Sequence, residues 1–253
     1  MLQTRIIPCL LLRNESLVKT VRFGKFGYIG DPLNTCRIFN ELEVDELTFL
    51  DIMASRERRP PSFGILQEIA NECFMPLSYG GGIRDVATAE RILQIGFEKV
   101  VLNTYPFENP GIIAELARAF GSQSVILAID VRKNLWGKYQ VFSVSGRVNQ
   151  KRHPVAWAQE VEERGAGEIL LTSIDREGTW QGFDVELTAQ VAQAVTIPVI
   201  AHGGAGTIDH IGAVVKKGHA SAVALGSMVV YQAKNLGVLV NFPDKDSLEG
   251  VIR

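Results

Sequence analysis

Two stretches of this chain end in the same way. Ser78 to Asp85 reads SYGGGIRD and carries Gly81 and Gly82; Ala201 to Asp209 reads AHGGAGTID and carries Gly203 and Gly204. The pairs are 122 positions apart (204 − 82). A glycine pair before a helix lets backbone N–H groups approach an anion, and the helix N-terminus adds partial positive charge. Each pair is followed, one apolar run later, by further donors: Asn103-Thr104 after the first and Gly226-Ser227 after the second. Tight strand-to-helix turns alone would also demand these glycines. Two equivalent clusters, each with donors beyond it, point to two phosphate cradles and a substrate phosphorylated at both ends.

Acids sit near the same places. The run at 124–130, SVILAID, ends in Asp130, and a carboxylate at a strand tip can serve as general acid or base. Asp51 and Asp175 stand similarly but suit helix capping or loop hydrogen bonding equally well. The first run, RIIPCLLL, ends in Leu10-Leu11-Leu12 with no polar group. Lys19, in the following loop, either closes over an anion or is exposed. At the opposite ends of the runs stand Arg5, Glu46, Lys99 and Glu168. They form either a charged ring or ordinary surface pairs of little value each. His153, His202, His210 and His219 show neither triad nor metal spacing, so no metal and no cofactor are expected. His202 either points into the mouth or is packed. Trp136, Trp157 and Trp180 read as packing or loop residues. The run at 56–59 reads as a solvated loop or a surface that meets a partner.

The elements that must position these groups alternate along the chain. Apolar runs at 5–12, 46–52, 75–79, 99–103, 124–131, 168–174, 197–201 and 222–225 are rich in Val, Ile and Leu, as strands buried on both faces are. Helical stretches lie between them, and Asp31-Pro32 and Asn109-Pro110 mark two helix starts. The pattern predicts an α/β fold, a (β/α)8 TIM barrel, with an open doubly wound sheet as competitor. The repeat spreads along the chain, matching Asp31-Pro32 to His153-Pro154 and Glu46 to Glu168. It implies two similar half-barrels in a single domain over 1–253. The chain has 253 residues, 46% hydrophobic and 21% charged, with net charge −2, which gives no footprint for nucleic acid. Cys9, Cys36 and Cys73 form no CxxC or zinc spacing, as expected for reduced thiols and a cytoplasmic protein. The run at 6–12 is too short to cross a membrane and lacks a cleavage site.

The stretches RIIPCL, YGGGIRD, FENP, FGSQSVILAID, RGAGEILLTSIDREGT and GGAGTIDH resemble the cyclase subunit of imidazole-glycerol-phosphate synthase, the HisF family, from the N-terminus to about Ser227. The resemblance implies ammonia delivered by a HisH-like glutaminase partner at the strand-N-terminal face. It passes up the barrel to a phosphorylated small molecule at the mouth. It implies that Arg5, Glu46, Lys99 and Glu168 gate the ammonia entrance, and that Gly178 joins the second phosphate loop. The family's catalytic aspartates lie on strands one and five. Asp130 matches the second, with Lys19 beside it as a candidate catalytic residue, whereas Leu11 stands at the first. Glu177 replaces a family aspartate. A leucine cannot transfer a proton, so ring-forming lyase chemistry is expected to fall by ~10²–10⁴-fold. RIIPCLLL, LVKTV, VDEL and the tail GSMVVYQAKNLGVLVNFP are similar to a subgroup associated with acetamidino modification of O-antigen and other surface-polysaccharide sugars. That subgroup implies a glutaminase and an ATP-dependent sugar amidotransferase as partners. The alternatives are the cyclase of histidine biosynthesis, a non-catalytic ammonia conduit or scaffold, and a related isomerase of the same barrel type.

Overall fold

A computed structural model describes residues 4–252. Eight parallel strands close on themselves: β1 (Arg5–Arg13), β2 (Leu47–Asp51), β3 (Leu77–Gly80), β4 (Lys99–Leu102), β5 (Val125–Lys133), β6 (Glu168–Ser173), β7 (Val199–His202) and β8 (Ala222–Leu225). The ring is completed where β1 pairs with β8, Ile7 opposite Ala224, and where β5 pairs with β6, Thr172 opposite Asp130. The longer helices between and after the strands are α1 (Pro32–Glu41), α2 (Phe63–Glu72), α3 (Val86–Ile95), α4 (Gly111–Phe120), α5 (Pro154–Glu163), α6 (Val185–Ala192), α7 (Ile208–Lys216) and α8 (Lys245–Ile252). This is a (β/α)8 barrel, and the open-sheet alternative is excluded by the closure.

The apolar runs are continuous because both strand faces are buried. Side chains alternate with a period of two. On β1, Ile6, Leu10 and Leu12 join the shell between strands and helices, while Ile7 and Cys9 face the interior. The interior is filled by Ile7, Cys9, Val101, Ile126, Leu170 and Ile200, with small residues such as Ala128, Ala222 and Ala224. The shell takes the large side chains, Phe39, Phe49 and Trp157 among them.

The helix signals are physical. Asp31 Oδ1 accepts the Asn34 N–H at 2.9 Å with Pro32 at the first turn of α1, and His153 Nδ1 accepts the Val155 N–H at 3.4 Å before Pro154. At Asn109-Pro110 the helix starts one residue later than the proline signal implies. Asn109 Oδ1 accepts the Gly111 N–H, so the proline lies just outside α4.

Each half-barrel opens with a long first strand followed by an excursion over the C-terminal face. After β1 the chain forms an antiparallel hairpin, Ser16–Thr20 with Phe26–Gly30. After β5, Tyr139–Ser143 pairs back on β5 and Val148–Asn149 pairs with it. Both excursions lie over the barrel mouth, where barrel enzymes keep their chemistry.

Candidate functional site

The mouth holds a cavity of about 420 Å³. Its floor is the upper interior layer, including Leu50, Val101, Ala128 and Leu170, and its walls are the strand tips and both excursions. Asp130, near the end of β5, is buried. Its Oδ2 accepts from Asn103 Nδ2 at 3.2 Å, and that amide also donates to the Ala128 carbonyl at 2.9 Å. Burial pushes the Asp130 carboxyl up to about 7, against a hydrogen bond from Thr172 and with a further push from the Glu177 charge. A group of that kind is suited to give and take a proton near neutral pH. Thr172 Oγ1 also bonds His202 Nδ1 at 3.1 Å. Burial, with Lys19 nearby, holds His202 down to about 3, so the ring is neutral at physiological pH. The histidine is therefore packed and hydrogen-bonded at the mouth, not solvated.

Leu11 occupies the matching tip of β1, paired in register with Leu50 and with Val18 of the hairpin. It lines the cavity and contributes only hydrocarbon. A further carboxylate of the mouth comes from outside the barrel strands. Glu177, in the loop after β6, is fully enclosed. Its Oε2 accepts the Phe23 N–H at 3.1 Å, and its Oε1 faces Lys19 Nζ at 3.6 Å. Lys19 thus lies on a hairpin strand and is buried, which settles the choice between an inward and an exposed lysine. The Arg22 N–H to the Glu177 carbonyl, 2.9 Å, pins the same hairpin down.

The two glycine clusters both lie at the mouth. Gly81 and Gly82 have φ of 131° and 72°, and a side chain at Gly82 would run into the Arg59 carbonyl at 2.6 Å. Backbone geometry therefore requires glycine there whatever else the loop does. Asn103 and Thr104 stand beside them. Thr104 Oγ1 accepts the Val144 N–H at 3.1 Å and bonds Asn103 Oδ1 at 3.3 Å. On the other side, Gly178, Gly203, Gly204, Gly226 and Ser227 surround a space of only about 10 Å³, with Lys19 and Glu177 on its wall. A side chain at Gly226 would collide with Lys19 Nζ, and one at Gly178 with the Thr20 carbonyl.

The remaining acids have structural duties. Asp51 Oδ1 accepts the Met53 and Ala54 N–H groups and its carboxylate pairs with Arg59 at 2.8 Å; Asp175 Oδ2 accepts the Lys133 N–H at 2.9 Å. The 56–59 run is less solvated than its composition implies. Arg56 lines the mouth with its Nε buried, and Arg59 is tied to Asp51 and Glu57. Sequence reasoning also missed Thr172, Arg132 and Arg147, all on the cavity wall. Arg132 had a signal, since it lies two residues beyond Asp130 on one strand and so shares its face. Arg147 had none.

At the opposite end, the four charges meet. Arg5 donates to Glu46 at 2.7 Å and to Glu168 at 3.0 Å; Lys99 Nζ reaches Glu46 at 3.2 Å and Glu168 at 3.1 Å. Glu46 is 4% exposed and Lys99 15%, so this is a closed ring of alternating sign, largely out of water, and not a set of surface pairs. Between ring and mouth the interior is apolar except for the buried Thr48–Ser78 hydroxyl pair at 2.7 Å. Among the described residues no cluster of metal-binding side chains occurs and no helix is long and apolar enough to cross a membrane.

Comparison with known proteins agrees with this geometry. A family model described as "Histidine biosynthesis protein" matches residues 5–235. A Pseudomonas aeruginosa protein whose name reads "Putative imidazole glycerol phosphate synthase subunit hisF2" is 49% identical over 249 residues, covering 98% of this chain and 99% of that protein. A HisF subunit of Leptospira borgpetersenii, with the same wording in its name, is 45% identical over 98% of this chain and 99% of its own length. The similarly named hisF3 of Vibrio vulnificus is 44% identical over 96% of this chain and 94% of its own. The chain belongs to the histidine biosynthesis protein family and is a HisF-type barrel.

Proposed function

We propose that this chain is the ammonia-accepting barrel of a glutaminase-coupled complex that makes an amidine, an acetamidino group, on a bacterial surface-polysaccharide sugar. The names of its relatives support the coarser part, a HisF-like subunit fed by a HisH-like glutaminase. On this reading the partner sits at the ring of Arg5, Glu46, Lys99 and Glu168. An apolar interior favours neutral NH3, because carrying NH4+ through it would cost several kcal/mol of desolvation. At the mouth, ammonia adds to the amide carbon that ATP has activated through its oxygen, the activating phosphate or nucleotide departs with that oxygen as the C–O bond breaks, and the proton lost by the adding nitrogen goes to the Asp130 carboxylate. An ATP-dependent sugar amidotransferase supplies the activated acceptor.

The observation that carries the sugar reading is Leu11: the β1 tip is hydrocarbon where the family's cyclase chemistry needs an acid. The other acids of the mouth are already engaged, Glu177 by Lys19 and the Phe23 N–H and Asp51 by Arg59. The shared name of the relatives favours a second reading, a histidine-pathway cyclase that works without the β1 acid. Expression in a histidine auxotroph lacking its own cyclase separates the two. No growth is expected; growth on minimal medium refutes the sugar role as stated. In a reconstituted amidation system, Asp130→Asn is expected to slow product formation. An unchanged rate would make the barrel a conduit without bond-making of its own.

A further inference from the structure

At the tips of β1 and β3 the two-residue period sends neighbouring side chains to opposite sides of the barrel wall. Leu11 and Gly80 line the mouth, whereas Leu12 and Tyr79 point outward into the shell under α2. A second cavity of about 410 Å³ lies there, and Asp51 is the one residue that lines both it and the mouth. Its body is hydrocarbon, from Leu12, Ile65 and Leu66. Its inner end is Tyr79, which is 1% exposed and packs edge-on against the Phe97 ring at 6.0 Å. Among the described residues the Tyr79 hydroxyl has no hydrogen-bond partner. Burial, and then the Asp51 charge, push that hydroxyl above its ordinary range, so it stays a neutral donor. Asp51 does not accept from it, being occupied by the Met53 and Ala54 N–H groups and by Arg59. A buried O–H without an acceptor is costly, and an unpartnered one at the end of a cavity calls for an occupant.

The rim of the cavity is the hairpin turn Asn14-Glu15, both residues exposed and at positive φ, 48° and 64°, as a tight two-residue connection requires. Ser62 Oγ donates to one oxygen of Glu15, and among the described residues no cation pairs with that carboxylate. Arg59, the cation on the wall, is taken by Asp51 and Glu57. From rim to base the cavity therefore presents an uncompensated carboxylate, an apolar middle and an unused hydroxyl donor. Its volume is in the range of small-molecule sites.

We propose that this cavity binds a small amphipathic amine, with its ammonium at Glu15, its apolar body against Leu12, Ile65 and Leu66, and an oxygen acceptor at the Tyr79 hydroxyl. The site is separate from the mouth and does not rest on the amidation reading. It stands next to the machinery all the same, because the Asn14-Glu15 turn begins the hairpin that carries Lys19.

The test is a chemical-shift titration of the nitrogen-15-labelled full chain with tyramine, phenethylamine and 4-hydroxyphenylacetate. Tyramine has the ammonium, the apolar body and the oxygen; phenethylamine lacks the oxygen; 4-hydroxyphenylacetate has a carboxylate in place of the ammonium. Tyramine is expected to shift the amides of Asn14, Glu15 and Ser62 and to bind about fivefold tighter than phenethylamine, the worth of one hydrogen bond. 4-Hydroxyphenylacetate is expected to bind at least about tenfold more weakly than tyramine, because its charge meets Glu15. Tyr79→Phe keeps the ring and its packing. It is expected to bring tyramine down to the affinity of phenethylamine and to leave phenethylamine unchanged. Glu15→Gln, on the exposed rim, is expected to weaken both amines about fivefold. The proposal is overturned if 4-hydroxyphenylacetate binds as tightly as tyramine, if either variant leaves tyramine unchanged, or if Tyr79→Phe weakens both amines equally. Shifts confined to the mouth amides of Ser145 and Gly146 overturn it as well.

Discussion

Asp130 lowers the stability of the fold that holds it, and the size of that effect can be worked out. Its carboxyl rises from an ordinary 3.8 to about 7 in the folded protein, mainly through burial. Below pH 3.8 both folded and unfolded chains hold the proton and the group has no effect. Between 3.8 and about 7 the unfolded chain releases its proton while the folded chain keeps it, so stability falls as pH rises. Above about 7 both are ionised and the penalty is constant. At 1.36 kcal/mol per pH unit, the full penalty is roughly 4 kcal/mol. Asp130→Asn removes it, because the amide fills the same volume, accepts from Asn103 and never ionises. Urea denaturation followed by circular dichroism at pH 4 and pH 8 reads the difference. The variant's stability relative to the parent is expected to be greater at pH 8 than at pH 4 by about 3–4 kcal/mol, which is about 10 °C in Tm for a chain of this size. An advantage equal at the two pH values would mean that the carboxyl titrates normally, and the case for a proton-transfer group at the mouth would go with it.

Three further outcomes follow from the geometry. Lys99→Met leaves Glu46 and Glu168 sharing Arg5 alone; it is expected to cost about 3 kcal/mol of stability and to release more free ammonia per product in the reconstituted complex, measured by an ammonia-coupled assay. Gly204→Ala drives a methyl group into the Gly182 carbonyl at a φ of 109°, so a loss of ~2–3 kcal/mol is expected by thermal melting. His202 is expected to stay neutral to about pH 4 in a nitrogen-15 NMR titration. In the unfolded chain it takes a proton below about 6.5, so its burial erodes stability as pH falls from there toward 3.

The barrel and both of its ends were readable from the sequence because each rests on a local rule. Strands buried on both faces show as unbroken runs such as RIIPCLLL. A two-residue period then places Asp130 and Arg132 together, and the 122-residue repeat aligns Gly82 with Gly204. The ring of Arg5, Glu46, Lys99 and Glu168 was readable as positions at strand starts. Whether those side chains meet depends on how the barrel closes, which composition does not encode. What could not be read depends on long-range docking. Lys19 is buried because a hairpin folds back onto Glu177, more than 150 positions on. Arg56 sits in a run of charges and proline, yet the turn after β2 directs it into the mouth. Cys36 and Cys73, distant in sequence, come together where α1 packs beside the end of α2. A hydrogen bond donated to Cys73 and then burial push the Cys36 thiol upward.

The two excursions over the mouth cross-tie different parts of the barrel. Ser145 Oγ donates to the Ile52 carbonyl and the Val144 N–H to Thr104, so the β5 excursion reaches back to the first half-barrel. The β1 hairpin in turn reaches forward to Glu177 in the second. Each half is therefore latched by an arm of the other. A half-barrel expressed alone would present both an arm without a catch and a catch without an arm, and two identical halves joined head to tail would have to reinvent the pair of latches. The likeness written in the repeat is overlaid by a mutual dependence that makes the halves not interchangeable.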